Sequence, residues 1–324
     1  MKSAVPLIVV AALASITFAA QEPQQQPTFR SGAKTVAVYA TVTDKDGRLV
    51  PDLARDAFEV RDNGKPQPLT VFASETQPIT VVMMIDRSGS MRGNFGLVER
   101  ASEEFVRGLR ADDKARIGSF SDRIVIQPEE FTSDQQKLIG VLRSDMPVTG
   151  PTPLWNAIDD AMTALRGREG RKVVLVFSDG GDAPSNFSFN NRSIMDVMRR
   201  AQQDDIMVYA IGLQTTVLRR PTGGGGIGGF TGGMTSVRPD PGLATIADET
   251  GAGYFELNRA EDLASTFAHV SDELHRQYAL GFEPPRLDDK MHKLEVRVSA
   301  KGAKVRARKE YFAGRPSTGS GGPQ

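Results

Sequence analysis

The chain has 324 residues, of which 39% are hydrophobic and 25% are charged, a composition typical of soluble globular proteins. The 40 Lys and Arg residues balance the 40 Asp and Glu residues, so no overall field favours nucleic acid or an anionic membrane. The absence of cysteine excludes disulfides, thiolate metal sites and lipid-anchoring cysteines.

Residues 1–20 have the features of an export signal. Lys2 precedes an apolar run of about 17 residues that ends in small side chains. An uncleaved membrane anchor is the alternative, but the run is short against the ~20 residues that span a bilayer, and it contains Pro6. We therefore expect an exported protein, periplasmic or secreted, with a flexible leader at 21–31 and no membrane span after signal cleavage.

The segment 32–76 has the two-residue period of β-strands. Apolar residues at 36, 38, 40 and 42 predict a half-buried strand, with residues 37, 39 and 41 on its other face. The Asn63-Gly64 pair, between Phe58 and Val60 on one side and Leu69 and Val71 on the other, predicts a hairpin. This β segment is too short to form a good core alone.

The segment 77–278 alternates strands with amphipathic helices. The strand candidates are Ile79–Ile85, Ala115–Ser121, Lys172–Ser178, Ile206–Gly212 and Gly253–Glu256. The helix candidates lie at 96–110, 133–145, 153–167, 193–203 and 260–277. Apolar strands separated by helices of this length predict an α/β fold, namely a doubly wound, Rossmann-like and mostly parallel sheet covered on both faces.

The segment 279–314 returns to β periodicity, with a turn at Gly302, and predicts a β-hairpin. We expect it to pair with the segment 32–76, so that the α/β domain is inserted in, or flanked by, a small β-sandwich. Residues 286–315 carry ten Lys or Arg against four Asp or Glu, but no aromatic residues are interleaved for base stacking, so we expect a solvated face and no nucleic-acid partner. Residues 315–324 have the composition of a disordered tail.

Five oxygen-bearing side chains are predicted to meet at one edge of the parallel sheet. Asp86, Ser88 and Ser90 end the first strand, Thr152 precedes a helix, and Asp179 ends the most apolar strand. In open α/β sheets ligands bind beyond the carboxyl ends of the strands, where the strand order reverses. Any one of these residues could simply cap a helix, but together they form a set of hard oxygen donors without His or Cys, which suits Mg²⁺, or else Mn²⁺ or Ca²⁺.

Two carboxylates neutralise a divalent ion. If they act mainly through water, the ion contacts neutral hydroxyls, stays electrophilic and can accept a carboxylate from another protein. The pattern therefore predicts a site whose partner is a protein ligand that donates an acidic side chain to the metal.

The pattern Asp86-x-Ser88-x-Ser90, Thr152, Asp179 resembles the metal-ion-dependent adhesion site of von Willebrand factor type A (VWA) domains, over about residues 77–278. The resemblance implies that the three hydroxyls contact the metal and that the two carboxylates act through water. The flanking segments extend the likeness to about 30–313 and are similar to the VWFA-related domain proteins described from Acidobacteria, which implies bacterial export. Thr152 departs from the usual pattern because it lies between Pro151 and Pro153, which stiffens its loop.

We therefore expect a non-enzymatic binding module with no catalytic residues. One alternative is a metal-dependent hydrolase, which would need a general base that the sequence does not supply at this site. Another is a structural domain with a vestigial metal site. The Gly-rich segment Thr215–Pro241 is expected to lie beside the metal and to help select the partner, and His275 is expected to be a solvated residue at a helix end.

Overall fold

The computed structural model describes residues 35–74, 77–144, 150–184, 191–218 and 234–314. The predicted signal peptide, the leader and the C-terminal tail lie outside these ranges, as does the centre of the Gly-rich segment. Within the described residues, no helix combines the length and the apolar character that a membrane crossing requires.

The strands of the structure are, in chain order, β1 Val36–Thr43, β2 Phe58–Asp62, β3 Lys65–Gln67, β4 Leu69–Ala73, β5 Ile79–Asp86, β6 Lys114–Phe120, β7 Ile124–Thr132, β8 Arg171–Ser178, β9 Ile206–Leu213, β10 Thr215–Leu218, β11 Met234–Val237, β12 Tyr254–Leu257, β13 Tyr278–Phe282, β14 Met291–Val298, β15 Lys304–Arg306 and β16 Glu310–Phe312. The α-helices are α1 Phe95–Gly108, α2 Gln135–Leu142, α3 Leu154–Ala164, α4 Ile194–Gln203, α5 Pro241–Glu249 and α6 Leu263–His275. Short 3₁₀ turns lie at Arg55–Ala57, Gly89–Asn94 and Ala260–Asp262.

A six-stranded sheet in the order β12-β9-β8-β5-β6-β7 forms the centre of the α/β domain. All neighbouring strands are parallel except β6 and β7. Helices α1, α2 and α6 pack on one face, whereas α3 and α4 pack on the other, with α5 beside α4. The doubly wound, mostly parallel sheet predicted from the sequence is thus confirmed.

The direction of winding reverses between β5 and β8, which are neighbours in the sheet. After β5 the chain enters α1 on one face, and after β8 it enters α4 on the other. The carboxyl ends of these two strands therefore border a crevice that neither helix covers. The predicted carboxylates, Asp86 and Asp179, lie at these two strand ends.

The N- and C-terminal segments form two antiparallel four-stranded sheets, in the orders β15-β1-β13-β4 and β16-β14-β2-β3. Their inner faces share one core, which includes Val38, Val60, Leu280, Phe282 and Val296. The prediction of a small β-sandwich built from both ends of the chain is confirmed, whereas the domain boundaries assigned from sequence stay predictions.

The prediction that β1 is half-buried was wrong, because β1 is buried on both faces. Val38 and Ala40 face the core of the sandwich, but Ala37 and Tyr39 belong to the core of the α/β domain. The sheet that contains β1 is therefore packed between the second sheet and the α/β domain. A period of two in the sequence cannot reveal this second contact, since alanine and tyrosine fit buried and exposed faces alike.

The segment 279–314 does not form the predicted hairpin. β14 pairs with β2 and β16, whereas β15 pairs with β1 in the other sheet. The chain turns at Gly302, with φ at 76°, and crosses between the sheets, because the free edge of β1 can take another strand. At the other end of the chain, the Asn63-Gly64 turn does join a hairpin, β2 to β3, and β4 then crosses to pair with β13.

Candidate metal centre

Asp86 is the last residue of β5 and is completely buried. Its Oδ1 accepts the Ser88 amide at 2.8 Å, and its Oδ2 accepts the Ser178 hydroxyl at 2.6 Å. Burial raises the pKa of Asp86 above its usual range, although the hydrogen bonds from Ser178 and Ser88 oppose the rise. Both carboxylate oxygens thus have protein partners, which fixes the side chain at the end of the strand.

Ser88, Ser90 and Asp179 form a continuous hydrogen-bonded row. The 3₁₀ turn Gly89–Asn94 folds the chain back after β5, so that the hydroxyls of Ser88 and Ser90 lie 3.2 Å apart. Ser90 Oγ donates to Asp179 Oδ1 at 2.8 Å, which joins the loop after β5 to the end of β8. Four of the five predicted residues are therefore connected, since Asp86 also binds the Ser88 amide.

Asp179 is a buried carboxylate with an incomplete set of partners among the described residues. The residue is 1% exposed, and its Oδ2 is buried without a hydrogen-bond partner in the described part of the chain. Burial, the largest cause, and the nearby Asp86 together raise the pKa of Asp179 to about 6, against the lowering effect of the Ser90 hydrogen bond and the Thr215 hydroxyl. Among the ion pairs between described residues, none involves Asp86 or Asp179.

Thr152 reaches the same crevice from the loop before α3. Its backbone forms an antiparallel bridge with Ala183, with N···O distances of 2.9 and 2.8 Å, and this bridge ties the loop to the chain after β8. A Cβ placed on Gly180 would lie 4.0 Å from Thr152 Oγ1, so the hydroxyl faces the backbone next to Asp179. Gly150 enters the loop with φ at 103° and packs closely on Asp122, a position that only glycine fills easily.

The donor set fits a hard divalent cation. It has two buried carboxylates and three hydroxyls, and one carboxylate oxygen lacks a donor. Because an unpaired buried charge is costly, a cation at this position would reduce that cost and favour the ionised form of both acids. In the part of the chain that the structure describes, no group of three or more His, Cys, Asp and Glu is arranged to hold a metal. An ion here would therefore depend on the hydroxyls.

Sequence reasoning missed two polar residues at the site. Ser178, which binds Asp86, stands just before Asp179 and is the one hydroxyl residue in a strand that is otherwise apolar after Lys172. Thr215, the first residue of β10, lies close enough to Asp179 to affect its pKa. Ser178 could have been assigned to the site from its position at the end of the strand. Thr215 could not, because its location depends on the direction in which the chain leaves the sheet after β9.

The prediction for His275 was wrong. The residue does end α6, but it is buried, with Nε2 2.7 Å from Asp113 Oδ2 and Nδ1 2.7 Å from the Ser271 carbonyl. The cause is the packing of the end of α6 against the loop before β6, which carries Asp113. His275 is therefore part of the interior at the end of the sheet opposite the candidate centre.

The fold and the crevice define a class of protein, an α/β domain with a row of oxygen donors at the switch point of its sheet. The profile of the von Willebrand factor type A domain matches residues 80–268, more than half of the chain. The chain belongs to the von Willebrand factor type A domain family. No curated protein shows a significant match to the whole sequence.

Several solved structures are similar to this chain. An aerotolerance-related membrane protein from Bacteroides fragilis is 18% identical, with 60% of this chain and 99% of that chain covered and a TM-score of 0.44. A von Willebrand factor type A protein from Catenulispora acidiphila is 12% identical, with coverages of 89% and 76% and a TM-score of 0.47. Proximal thread matrix protein 1 from the mussel byssus, solved with a zinc-occupied MIDAS motif, is 14% identical, with coverages of 66% and 50% and a TM-score of 0.49. At these identities and scores, the family assignment rests on the sequence profile and not on the structural neighbours.

Proposed function

We propose that this protein is an exported, non-enzymatic VWA module that binds a protein partner through a divalent cation. The residues that would hold the cation are Asp86, Ser88, Ser90, Thr152 and Asp179. The observation that carries the proposal is the pair of buried carboxylates that have no counter-ion among the described residues and that are hydrogen-bonded to Ser88 and Ser90. Family membership supports it, since VWA domains commonly mediate interactions between proteins.

The contacts of each side chain in the proposed centre indicate its role. Asp86 is fixed by Ser88 and Ser178, so it is built to hold the loop after β5 in place. Ser88, Ser90 and Thr152 offer neutral oxygens, which leave the positive charge of an ion largely uncompensated. The bound ion would supply a coordination position for an acidic side chain of the partner. By the resemblance to adhesion sites, the three hydroxyls would hold the ion directly and the two carboxylates would hold it through water.

We propose Mg²⁺ as the resident ion, with Mn²⁺ or Ca²⁺ as alternatives. The centre contains only oxygen donors, and hard cations prefer oxygen to imidazole or thiolate ligands. Two carboxylates match the charge of one divalent ion, so a second ion is not required.

A metal-dependent hydrolase fits the site less well. Such an enzyme would need a general base close to the reacting water. His275 and His292 are occupied elsewhere, by Asp113 and Asp62 respectively, and His269 lies exposed on α6 against Phe255. A structural domain with a vestigial site is also disfavoured, because the unpaired oxygen of Asp179 would then destabilise the fold without serving a function.

The proposal is tested by calorimetric titration with Mg²⁺ and Mn²⁺. We expect the wild-type protein to bind one ion and Asp86→Ala to bind none, whereas Asp272→Ala, an exposed carboxylate on α6, binds as the wild type does. Loss of the wild-type signal would reject the metal centre. Turnover of generic esters or phosphates in the presence of Mg²⁺ would favour the hydrolase instead.

The partner is sought by affinity capture from the producing cells in buffers with Mg²⁺ or with chelator. We expect capture in Mg²⁺ that is lost with chelator and with Asp86→Ala. Export is tested by mass spectrometry of the mature protein, which should begin after Ala19 or Ala20.

A further inference from the structure

The helix that follows Thr152 lacks a capping side chain of its own. The residues at the starts of α2, α4 and α5, which are Asp134, Ser193 and Asp240, accept backbone amides of their own helices. At α3 the corresponding position is Pro153, which has no side-chain acceptor. The proposed role of Thr152 also directs its hydroxyl towards the cation. The first turn of α3 must therefore find its acceptor elsewhere.

Asp182 supplies that acceptor from the loop after β8. The amide of Trp155, in the first turn of α3, donates to Asp182 Oδ1 at 3.3 Å. The next residue, Ala183, forms the two-way backbone bridge with Thr152. Asp182 and this bridge thus hold both sides of Thr152 against the chain that carries Asp179.

Asp182 is itself held by α5. Its amide donates to Asp240 Oδ2 at 3.2 Å, while Asp240 Oδ1 accepts the Gly242 amide at 2.8 Å. The Asp240 amide also donates to the Gly180 carbonyl at 3.3 Å. Three loops at the carboxyl edge of the sheet are therefore joined through two carboxylates that do not belong to the proposed ligand set.

We propose that Asp182 is a positioning residue that sets Thr152 in place for the cation, with its carboxylate acting through the amide of Trp155. This inference rests on the proposed metal function of the site. Groups that orient metal ligands commonly contribute 10–100-fold to metal affinity, so the contribution of Asp182 should be measurable.

The experiment compares Asp182→Ala and Asp182→Asn with a matched control, Asp134→Ala. Asp134 is also a carboxylate that caps a helix, since it accepts the amides of Gln136 and Lys137, but α2 is not among the elements of the crevice. We expect the Kd for Mn²⁺ to rise about tenfold in Asp182→Ala. We expect it to change by less than about threefold in Asp182→Asn, whose amide oxygen can still accept, and not to change in Asp134→Ala.

The single tryptophan of the chain, Trp155, provides a readout that needs no metal. It is 5% exposed, so its quenching by acrylamide in the presence of chelator reports how tightly the first turn of α3 is held. We expect stronger quenching in Asp182→Ala, and wild-type quenching in Asp182→Asn and Asp134→Ala.

Unchanged Mn²⁺ affinity in Asp182→Ala would overturn the inference, as would an equal loss of affinity in Asp182→Asn, which would mean that the charge acts and not the hydrogen bond. If the wild type itself binds no Mn²⁺, the proposed function fails, and the quenching still decides whether Asp182 holds α3. Wild-type quenching in Asp182→Ala would then overturn the positioning role as well.

Discussion

The two ends of the central sheet bury carboxylates in opposite ways. At the amino ends of the strands, Asp113 accepts the amides of Ile79 and Arg110 at 2.9 and 2.7 Å and contacts His275 at 2.7 Å. At the carboxyl ends, Asp179 is equally buried, yet one of its oxygens has no partner among the described residues, and the charge that acts on it is another carboxylate, Asp86. Both carboxylate oxygens of Asp113 therefore have partners within the described residues, whereas one oxygen of Asp179 does not.

The buried polar contacts at the amino ends of the strands continue to the junction with the β-sandwich. Glu273, which is 2% exposed, accepts the Tyr209 hydroxyl at 2.6 Å and forms an ion pair with Arg306 of β15. Arg171, also 2% exposed, binds Gln277 and the Leu274 carbonyl and lies over the ring of Tyr39. This end of the sheet therefore joins the sandwich to the α/β domain, whereas the carboxyl end carries the residues of the proposed metal centre.

The largest effect is expected from removing a partner at the amino end. His275→Ala removes one donor from the buried carboxylate of Asp113, and losing a hydrogen bond to a buried charged group costs about 3 kcal/mol. Urea unfolding at pH 7 measures the loss, and Mn²⁺ affinity should not change. The control is His269→Ala on the exposed side of the same helix, which should alter stability by less than about 0.5 kcal/mol. A loss below 1 kcal/mol in His275→Ala would show that the pair does not stabilise the fold as described.

At the carboxyl end of the sheet, we expect a substitution of the buried carboxylate to stabilise the protein instead of destabilising it. Asp179→Asn keeps the shape of the side chain and the Ser90 contact but removes a buried, unpaired charge. In chelator at pH 8, the variant should therefore be more stable than the wild type by about 1–3 kcal/mol, because a pKa unit corresponds to about 1.4 kcal/mol. With Mn²⁺ present the order should reverse, since only the wild type gains stability from binding. Destabilisation in chelator would contradict the comparison.

Asp113, at the amino end of the sheet, should also contribute to the loss of folding stability at low pH. Burial raises the pKa of Asp113, but hydrogen bonds from His275, Arg110 and Ile79 outweigh it, so the pKa is lower than usual. The stability that these bonds add is present above the unfolded pKa, near 4, and is lost as the pH falls through the lower folded value. Asp113→Asn should be less stable than the wild type by about 2 kcal/mol at pH 7, with a difference that shrinks as the pH falls below 4.

Unfolding measured by urea at a series of pH values tests this prediction. Asp112→Asn, at the exposed neighbouring residue, is the control and should follow the wild type at every pH. A difference between Asp113→Asn and the wild type that stays constant down to pH 2 would mean that Asp113 is not ionised in the folded protein.

The smallest effect on stability is expected from shortening the Gly-rich segment. The prediction that this segment helps to select the partner concerns Thr215–Pro241, of which residues 219–233 lie outside the described residues. Its two ends form the paired strands β10 and β11. Leu218 and Met234 are opposite each other, so an Asn-Gly turn can replace residues 219–233. We expect wild-type stability and Mn²⁺ affinity together with altered partner binding, and unchanged partner affinity would refute a role in selection.

The sequence predicted the central sheet well because its strands have a strong local signal. The apolar runs that became β5, β8 and β9 were placed to within one residue at each end. Four elements of the same domain were not predicted, namely β7, α5 and the paired strands β10 and β11. β7 contains Pro128 and two glutamates on an exposed edge, and α5 begins with Pro241 and Gly242, so neither of these two has a clear apolar period.

The residues of the candidate centre could be proposed from sequence because each of them borders a recognisable strand or helix. The hydrogen bonds that hold those residues in place could not be predicted from the sequence. The hydroxyl of Ser178 on Asp86 and the carboxylate of Asp182 on α3 both depend on distances between loops that are far apart along the chain. The burial of His275 and of both faces of β1 likewise follows from domain packing, which leaves no local pattern.

Anomalous scattering from a crystal soaked in Mn²⁺ shows whether the five side chains hold a metal. We expect one strong anomalous peak in the crevice between β5 and β8, bounded by the oxygens of Ser88, Ser90 and Thr152. No peak there at saturating Mn²⁺, or a peak that remains in Asp86→Ala, would contradict the assignment of these side chains to a metal centre.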